Sequence, residues 1–457
     1  MRRYLIIFLL VLLIPFALSR LLGVALWHIP TALTEGAALG AKLACSGYYL
    51  SGFTLEKNQQ DIASYSSLLD GIELALLPEQ GVEGTLFGLA SAQAMYRPGI
   101  GCALEYSGYT QLDSLTGPAP VKAVGDWPAG SSTAPYQAQL QALLEKQLQL
   151  DATEGLDTRA LLIAHRGELV AESYAEGVDK MTPLLGWSMA KSVTAILLGR
   201  LESMGLLEPR ETNLFPSWQD DERSDISLQN MLQMSSGLAF AEEYWPGNDS
   251  TSMLLDSPSA SDVALAKPLE AKPGQHFAYS SGTTNILARL ISERLGGEPS
   301  AFLDFLGAEI IQPLGLENSI LELDASGMFV GSSFVYASAR DWARLGQLML
   351  NGGVLNGRRL LSEDWVRRAA TPNTSDNDPR YGYQFWLNDG AEALRWPSLP
   401  KDAYAMQGNR AQVVMIIPSA EAVIVRLGWT AGEYPTDQRF AQILKQATSQ
   451  PLKPQSL

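Results

Sequence analysis

The sequence predicts an α+β protein, a sheet domain that carries a mostly helical insertion. Three observations lead there. Residues 160–165 and 168–174 are apolar-rich runs joined by Arg166-Gly167, the pattern of a β-hairpin. Two later apolar runs, 412–417 and 422–427, flank Pro418-Ser419 and read as adjacent strands. Between these two pairs the segments with regular spacing are mainly helical, so strands near both ends of one domain enclose helices.

Composition narrows the class. With 46% hydrophobic and 18% charged residues over 457 positions, the chain is folded rather than disordered and holds one large domain or two. A net charge of −16, with no basic run beyond Met1-Arg2-Arg3, argues against a nucleic-acid partner. Two cysteines and three histidines (His28, His165 and His276) cannot build a dedicated Cys/His metal site. No metal or cofactor is expected.

Taken in order, the chain begins with Arg2-Arg3 and an apolar run over 4–18 broken only by Pro15, which reads as a secretory signal or an N-terminal anchor. Ala17-Leu18-Ser19 would serve as a cleavage site. The apolar character continues over 21–27, however, and 4–27 is long enough to cross a bilayer with its basic end inside. Residues 1–30 are therefore assigned to a signal or anchor, the latter reaching the membrane if uncleaved. The body is expected outside the cytoplasm, in the periplasm or on the outer face of the cytoplasmic membrane. There Cys45 and Cys102 are expected to pair, closing a loop worth at most about 4 kcal/mol; two buried free thiols are the alternative. Residues 31–115 form a small N-terminal region, and 46–115 show no repeat or catalytic pattern. Residues 116–135 are rich in Gly, Pro, Ala and Ser and read as a linker.

The domain at 136–450 starts with a helix around 137–149 and continues into the hairpin. Further helices are expected over 227–234, ended by Ser235-Ser236-Gly237, over 283–295, and over 340–351, ended by Gly352-Gly353. A turn at Lys272-Pro273-Gly274 precedes Phe277-Ala278-Tyr279-Ser280-Ser281.

The chemistry centres on Gly186-Trp187-Ser188-Met189-Ala190-Lys191-Ser192. Val193, Ile196, Leu197 and Leu201 follow at helical spacing, so Ser188 stands at a helix start with Lys191 one turn on, on the same face. A serine hydroxyl needs a base within hydrogen-bond reach. Lysine supplies one only when neutral, and at its ordinary pKa about one in 2,500 is neutral at pH 7. A drop of about 3 units, roughly 4 kcal/mol of differential solvation, would come from burial and the positive helix end. The alternative is an N-capping serine followed by an exposed lysine.

Several spaced segments together resemble the serine β-lactamase-related hydrolases: penicillin-binding proteins, class C β-lactamases, D-aminopeptidases, nylon-oligomer hydrolases and related esterases. The resemblance spans about 161–428. It rests on Ser188-Met189-Ala190-Lys191, on 228–238 with its Ser235-Ser236-Gly237 turn, on 272–281 with Tyr279-Ser280-Ser281, and on 336–346. It implies a β-lactamase/transpeptidase-like fold, an antiparallel sheet flanked by helices with a helical subdomain. It also implies an acyl-enzyme hydrolase acting on an ester or amide bond of a small molecule or peptide. Ser188 would be the nucleophile, Lys191 its partner, and Tyr279 the proton-handling group on the leaving-group side. A nearby ammonium favours phenolate, and the two groups would titrate as a coupled pair.

Two departures bear on substrate. Ser281 replaces the Asn of class C enzymes and resembles the Tyr-x-Ser of nylon-oligomer hydrolases. The third motif, usually Lys/His-Thr/Ser-Gly, falls on Met406-Gln407-Gly408. The backbone N–H of Asn409 would then complete an oxyanion hole with that of Ser188, with Gln407, Gly408, Asn409 and Ser281 around the substrate. The cation of penicillin-recognising members is missing at Met406, with Arg410 nearby as a substitute. This favours ester or small-amide substrates over β-lactams or D-Ala-D-Ala peptides. Two rival readings are an α/β-hydrolase elbow at Gly186-Trp187-Ser188-Met189-Ala190, which needs a late histidine, and a binding protein that kept the fold without turnover.

Overall fold

The computed structural model describes residues 26–449. Of residues 1–30, read as a signal or anchor, 1–25 therefore lie outside the described residues. Among the described residues no helix is long and apolar enough to cross a membrane.

The N-terminal region is a module of helices α1 (Ile29–Tyr49) and α2 (Leu55–Ala63) with a four-stranded antiparallel meander, β1 (Ile72–Leu77), β2 (Gly81–Leu86), β3 (Ala90–Arg97) and β4 (Gly101–Leu104). Helix α1 starts on Ile29-Pro30, where proline's missing N–H costs nothing. It lies unusually close to the sheet: a Cβ on Gly84 would stand 2.7 Å from Ala37 O and from Ala41 N. The Cys45–Cys102 disulfide is formed and joins α1 to β4. Beside it, the buried Lys42 ammonium pairs with the buried Glu322 carboxylate, whose Oε1 also accepts from Ser46 Oγ and from Cys102 N, both at 2.7 Å. The module is thereby fastened to the rest of the chain through a charge pair that has no access to water.

Residues 116–135 have the irregular backbone that their composition implies, and they are held down along their length. Arg344 donates to Pro128 O and Gly130 O, both at 2.9 Å, with its guanidinium 4.8 Å above the Trp127 ring. Arg340 donates to Ser131 O at 2.8 Å.

The sheet domain follows the expected order. Helix α3 (Ala138–Thr153) leads into the hairpin β5 (Thr158–His165) and β6 (Glu168–Tyr174), then α4 (Met189–Ser203). The middle of the chain is mostly helical: α5 (Leu228–Leu232), α6 (Ser281–Arg294) and α7 (Ala339–Leu350). Strands β7 (Trp386–Leu387), β8 (Tyr404–Gly408), β9 (Gln412–Ile417) and β10 (Ala422–Gly428) and helix α8 (Thr436–Thr448) close it. The six strands form one antiparallel sheet in the order β7-β8-β9-β10-β5-β6.

Helices cover both faces of this sheet, which is why β9 and β10 read as unbroken apolar runs. Val414, Ile416, Val423 and Val425 pack with Trp342, Leu345 and Ile196 of α7 and α4. Their alternates Val413, Met415, Ile417 and Ile424 pack with Leu140, Leu144, Phe440 and Ile443 of α3 and α8. The fold is the expected α+β arrangement. The antiparallel sheet also removes the α/β-hydrolase reading, whose nucleophile elbow tops a mainly parallel sheet.

Candidate active site

Helix α4 is buried from Met189 to Gly199, and Ser188, immediately before it, is the one residue over 184–199 that is not. Its side chain makes no capping hydrogen bond, although it occupies the N-cap position. The hydroxyl instead meets Lys191, whose Nζ lies 3.1 Å from Ser188 Oγ. Lys191 is 1% exposed rather than solvated, so the capping alternative fails on both residues.

The lysine's other two contacts set its chemistry. Nζ lies 2.9 Å from Ser281 Oγ and 3.1 Å from Ser332 O. A carbonyl only accepts. Ser281 Oγ directs its own hydrogen to Glu242 Oε1 at 2.6 Å, so towards Lys191 it also accepts. In the neutral amine both N–H bonds would therefore be committed, which would leave the lone pair for the Ser188 hydroxyl. Burial pushes the Lys191 pKa down to about 8, opposed by the Glu242 carboxylate. The shift corresponds to about 3 kcal/mol of differential stabilisation and leaves about one lysine in ten neutral at pH 7.

Tyr279 and Ser281 reach this point because of how α6 starts. Ser280 turns its side chain to cap the helix, accepting from Thr283 N at 3.0 Å. Its neighbours on both sides face Ser188 and Lys191. The Tyr279 hydroxyl is near enough to Ser188 to interact with it, its ring lies 4.9 Å from Lys191 Nζ, and it stacks on Trp386 with centroids 5.2 Å apart. The segment before it is fixed by bonds from Gly274 N to Ser235 O (2.7 Å) and from Ala278 N to Met234 O (2.8 Å). The 228–238 and 272–281 segments are thus one unit.

Two expectations change. The Tyr279 pKa moves up, not down: burial dominates, the Ser188 hydrogen bond only partly opposes it, and Glu242 adds to it. A phenol, not a phenolate, faces Ser188. Ser281 does not line the substrate space. It is fully buried and links Lys191 to Glu242, its backbone N also donating to Glu242 Oε2 at 2.6 Å.

Of the third motif, Met406 is buried in the core and offers no polar group to the site. Gly408 ends β8 against the backbone before Ser188: a Cβ there would lie 2.0 Å from Gly186 O and 3.2 Å from Ser188 N, so only glycine allows this approach. Gln407 is half-buried and Asn409 exposed, with Asn409 Oδ1 accepting from Arg410 N at 2.8 Å. The Arg410 guanidinium lies 3.8 Å over the Tyr65 ring, stacked on the N-terminal module. His276 is exposed and bonds Asp376 at 2.8 Å and Asn377 at 3.1 Å; it is no partner of Ser188.

Glu242 escaped sequence reading. It sits in the loop 239–248 with Tyr244 and Trp245, which are 56% and 65% exposed, and Tyr244 OH lies 3.2 Å from Ser281 Oγ. Its only sequence signal is an acid pair in an aromatic loop. The loop is tied to the N-terminal module: Gly247 N donates to both oxygens of Glu35 at 3.1 Å. Because Glu242 both fixes the Ser281 hydroxyl and holds the Lys191 pKa up, Glu242→Gln is expected to lower kcat several-fold. It should also move the acid limb of the pH–rate profile to lower pH. A profile unmoved by the substitution would separate Glu242 from the lysine.

The sequence model of the beta-lactamase family matches residues 141–452. The 6-aminohexanoate-dimer hydrolase of Paenarthrobacter ureafaciens is 24% identical over 299 residues, 62% of this chain and 74% of that protein. A structure from Bacillus anthracis, provisionally named a 6-aminohexanoate-dimer hydrolase, superposes with a TM-score of 0.58 at 20% identity, covering 75% of this chain and 94% of that one. A family VIII carboxylesterase gives 0.53 at 15% identity over 69% of this chain and all of its own.

Proposed function

This chain belongs to the beta-lactamase family, and on that footing we propose that it is a serine hydrolase cleaving an ester or small amide through an acyl-Ser188 intermediate. The observation that carries the reading is the buried amine of Lys191. Ser281 Oγ and Ser332 O accept from its Nζ at 2.9 and 3.1 Å, and the remaining position on Nζ faces Ser188 Oγ at 3.1 Å, where the neutral amine would present its lone pair.

Lys191 Nζ takes the Ser188 proton as Oγ bonds to the carbonyl carbon. The backbone N–H groups of Ser188 and Asn409 hold the resulting oxyanion, with Gly408 permitting their approach. On collapse the bond to the leaving group breaks, and the proton on Lys191 passes to the leaving atom by way of the Tyr279 hydroxyl, which stays protonated. Water, deprotonated by the same lysine, then releases the acid product and restores Ser188. Gln407, half-buried on the third-motif strand, is left to contact the substrate.

Absence of a cation at Met406 favours substrates without the carboxylate of a penicillin, and the relationship to a 6-aminohexanoate-dimer hydrolase supports small linear amides. Turnover of p-nitrophenyl esters and short amides, against nitrocefin and D-amino-acid amides, tests this; preference for nitrocefin would overturn it. Tyr279→Phe should lose most activity on an amide and little on a p-nitrophenyl ester, because nitrophenolate leaves unprotonated and an amine does not. Normal rates on both would make Tyr279 structural.

The Cys45–Cys102 bond and the apolar N-terminal run support action outside the cytoplasm. Free thiols at both positions in protein taken from its native compartment would contradict that.

A further inference from the structure

We propose that the N-terminal module positions the oxyanion side of the site through Tyr65, an inference that rests on Ser188 being the acylated residue. The backbone on both sides of the oxyanion position is strained. Trp187, just before Ser188, has φ +48°, and Arg410 and Ala411, just after the Gly408–Asn409 strand end, both have φ +61°. Non-glycine residues hold such angles only where packing over-determines them, and they gather at functional sites.

Tyr65 touches both strained places. Its ring lies 3.8 Å from the Arg410 guanidinium and meets the Trp187 ring edge-on at 6.1 Å. It also meets Trp429 edge-on at 5.7 Å, and Trp429 in turn lies 6.3 Å from Trp187. The segment that carries the ring is tied to the sheet domain. Trp429 Nε1 donates to Asp61 O at 2.9 Å and Ser64 Oγ at 3.2 Å. Arg159 donates to both Asp61 carboxylate oxygens at 2.7 Å. From the opposite side the buried Arg426 fixes the same turn, donating to Arg410 O at 2.9 Å and Ala411 O at 3.0 Å.

The turn that follows Asn409 is thus held by Arg426 from within the sheet domain, and Tyr65 of the module touches both that turn and the residue before Ser188. Tyr65 precedes the 141–452 span that the family model matches, so this clamp is an addition outside that span. Donors aimed at a developing charge lose effect with small displacements. A brace on them is felt in the transition state more than in substrate binding.

The test compares Tyr65→Ala and Tyr65→Phe, read on a p-nitrophenyl ester, on phenylboronic acid, whose tetrahedral adduct on a serine mimics the oxyanion, and on the product acid. Tyr65→Ala is expected to lower kcat about ten-fold and weaken phenylboronic acid to a similar degree. KM and product binding should stay within about two-fold, and Tyr65→Phe should behave as the parent. Normal kcat and boronate affinity in folded Tyr65→Ala would overturn the proposal. So would a loss that follows KM and product binding, or an equal loss in Tyr65→Phe. Should Tyr65→Ala not fold, Arg410→Gln removes the guanidinium–ring contact and must show the same selective loss, or the proposal falls. Fluorophosphonate labelling of the parent at Ser188 keeps the two ideas apart. An unlabelled Ser188 refutes the hydrolase reading, whereas a labelled parent with an unaffected Tyr65→Ala variant refutes only the brace.

Discussion

Replacing Ser188 with alanine is expected to cost at least about 10^4-fold in kcat, together with all covalent labelling, while leaving the melting temperature near that of the parent. Removing the nucleophile of a serine hydrolase leaves only what binding and the oxyanion hole supply. The fold has little reason to respond. Ser188 is only half-buried, makes no capping bond that alanine would forfeit, and Lys191 keeps its contacts to Ser281 and Ser332. Retained labelling in Ser188→Ala would place the nucleophile elsewhere.

Lys191 carries the second large effect. Lys191→Ala removes the base and should cost nearly as much as the loss of Ser188, and adding Tyr279→Phe should cost little more, since parts of one device are not additive. Lys191→Arg is expected to fail as fully. Guanidinium stays protonated and has no lone pair to offer, and its planar fork does not fit three oxygens arranged around one nitrogen. The lysine also sets the pH dependence. Its folded pKa, about 8, lies below its ordinary value, and the working form is the neutral one. Activity should therefore rise with pH through about 8 and level off above it. Wild-type rates in Lys191→Arg would show that the base is another group.

Much of this was legible because the geometry is local. Ser188 and Lys191 share a face through helix spacing alone, and β9 and β10 declared themselves as apolar runs because both their faces are covered. Other features depend on contacts that no local pattern encodes. The meander of β1–β4 carries small residues such as the Ala-Ser-Ala-Gln-Ala of β3, chosen by the close approach of α1, so its alternation is faint. Glu242 acts through Ser281, 39 positions away, in a loop without motif. Spacing places Ser281 beside Tyr279, yet only the start of α6 decides that its hydroxyl turns to Lys191 and Glu242 instead of to substrate. Charge alone points the Tyr279 pKa the wrong way, because burial of the phenol dominates and only the Ser188 hydroxyl opposes it. Residues 116–135 look like a linker because glycine and proline dominate, and the same absence of bulk lets Arg340 and Arg344 reach their carbonyls.

The most direct test is the rate at which a fluorophosphonate labels the intact protein from pH 6 to 10, with the modified residue identified by peptide mass spectrometry. A serine activated by a buried neutral lysine predicts a single adduct on Ser188, with a labelling rate that rises about ten-fold per pH unit at low pH and is half-maximal near pH 8. An adduct on another residue, or a rate on Ser188 that does not change with pH, would contradict the account.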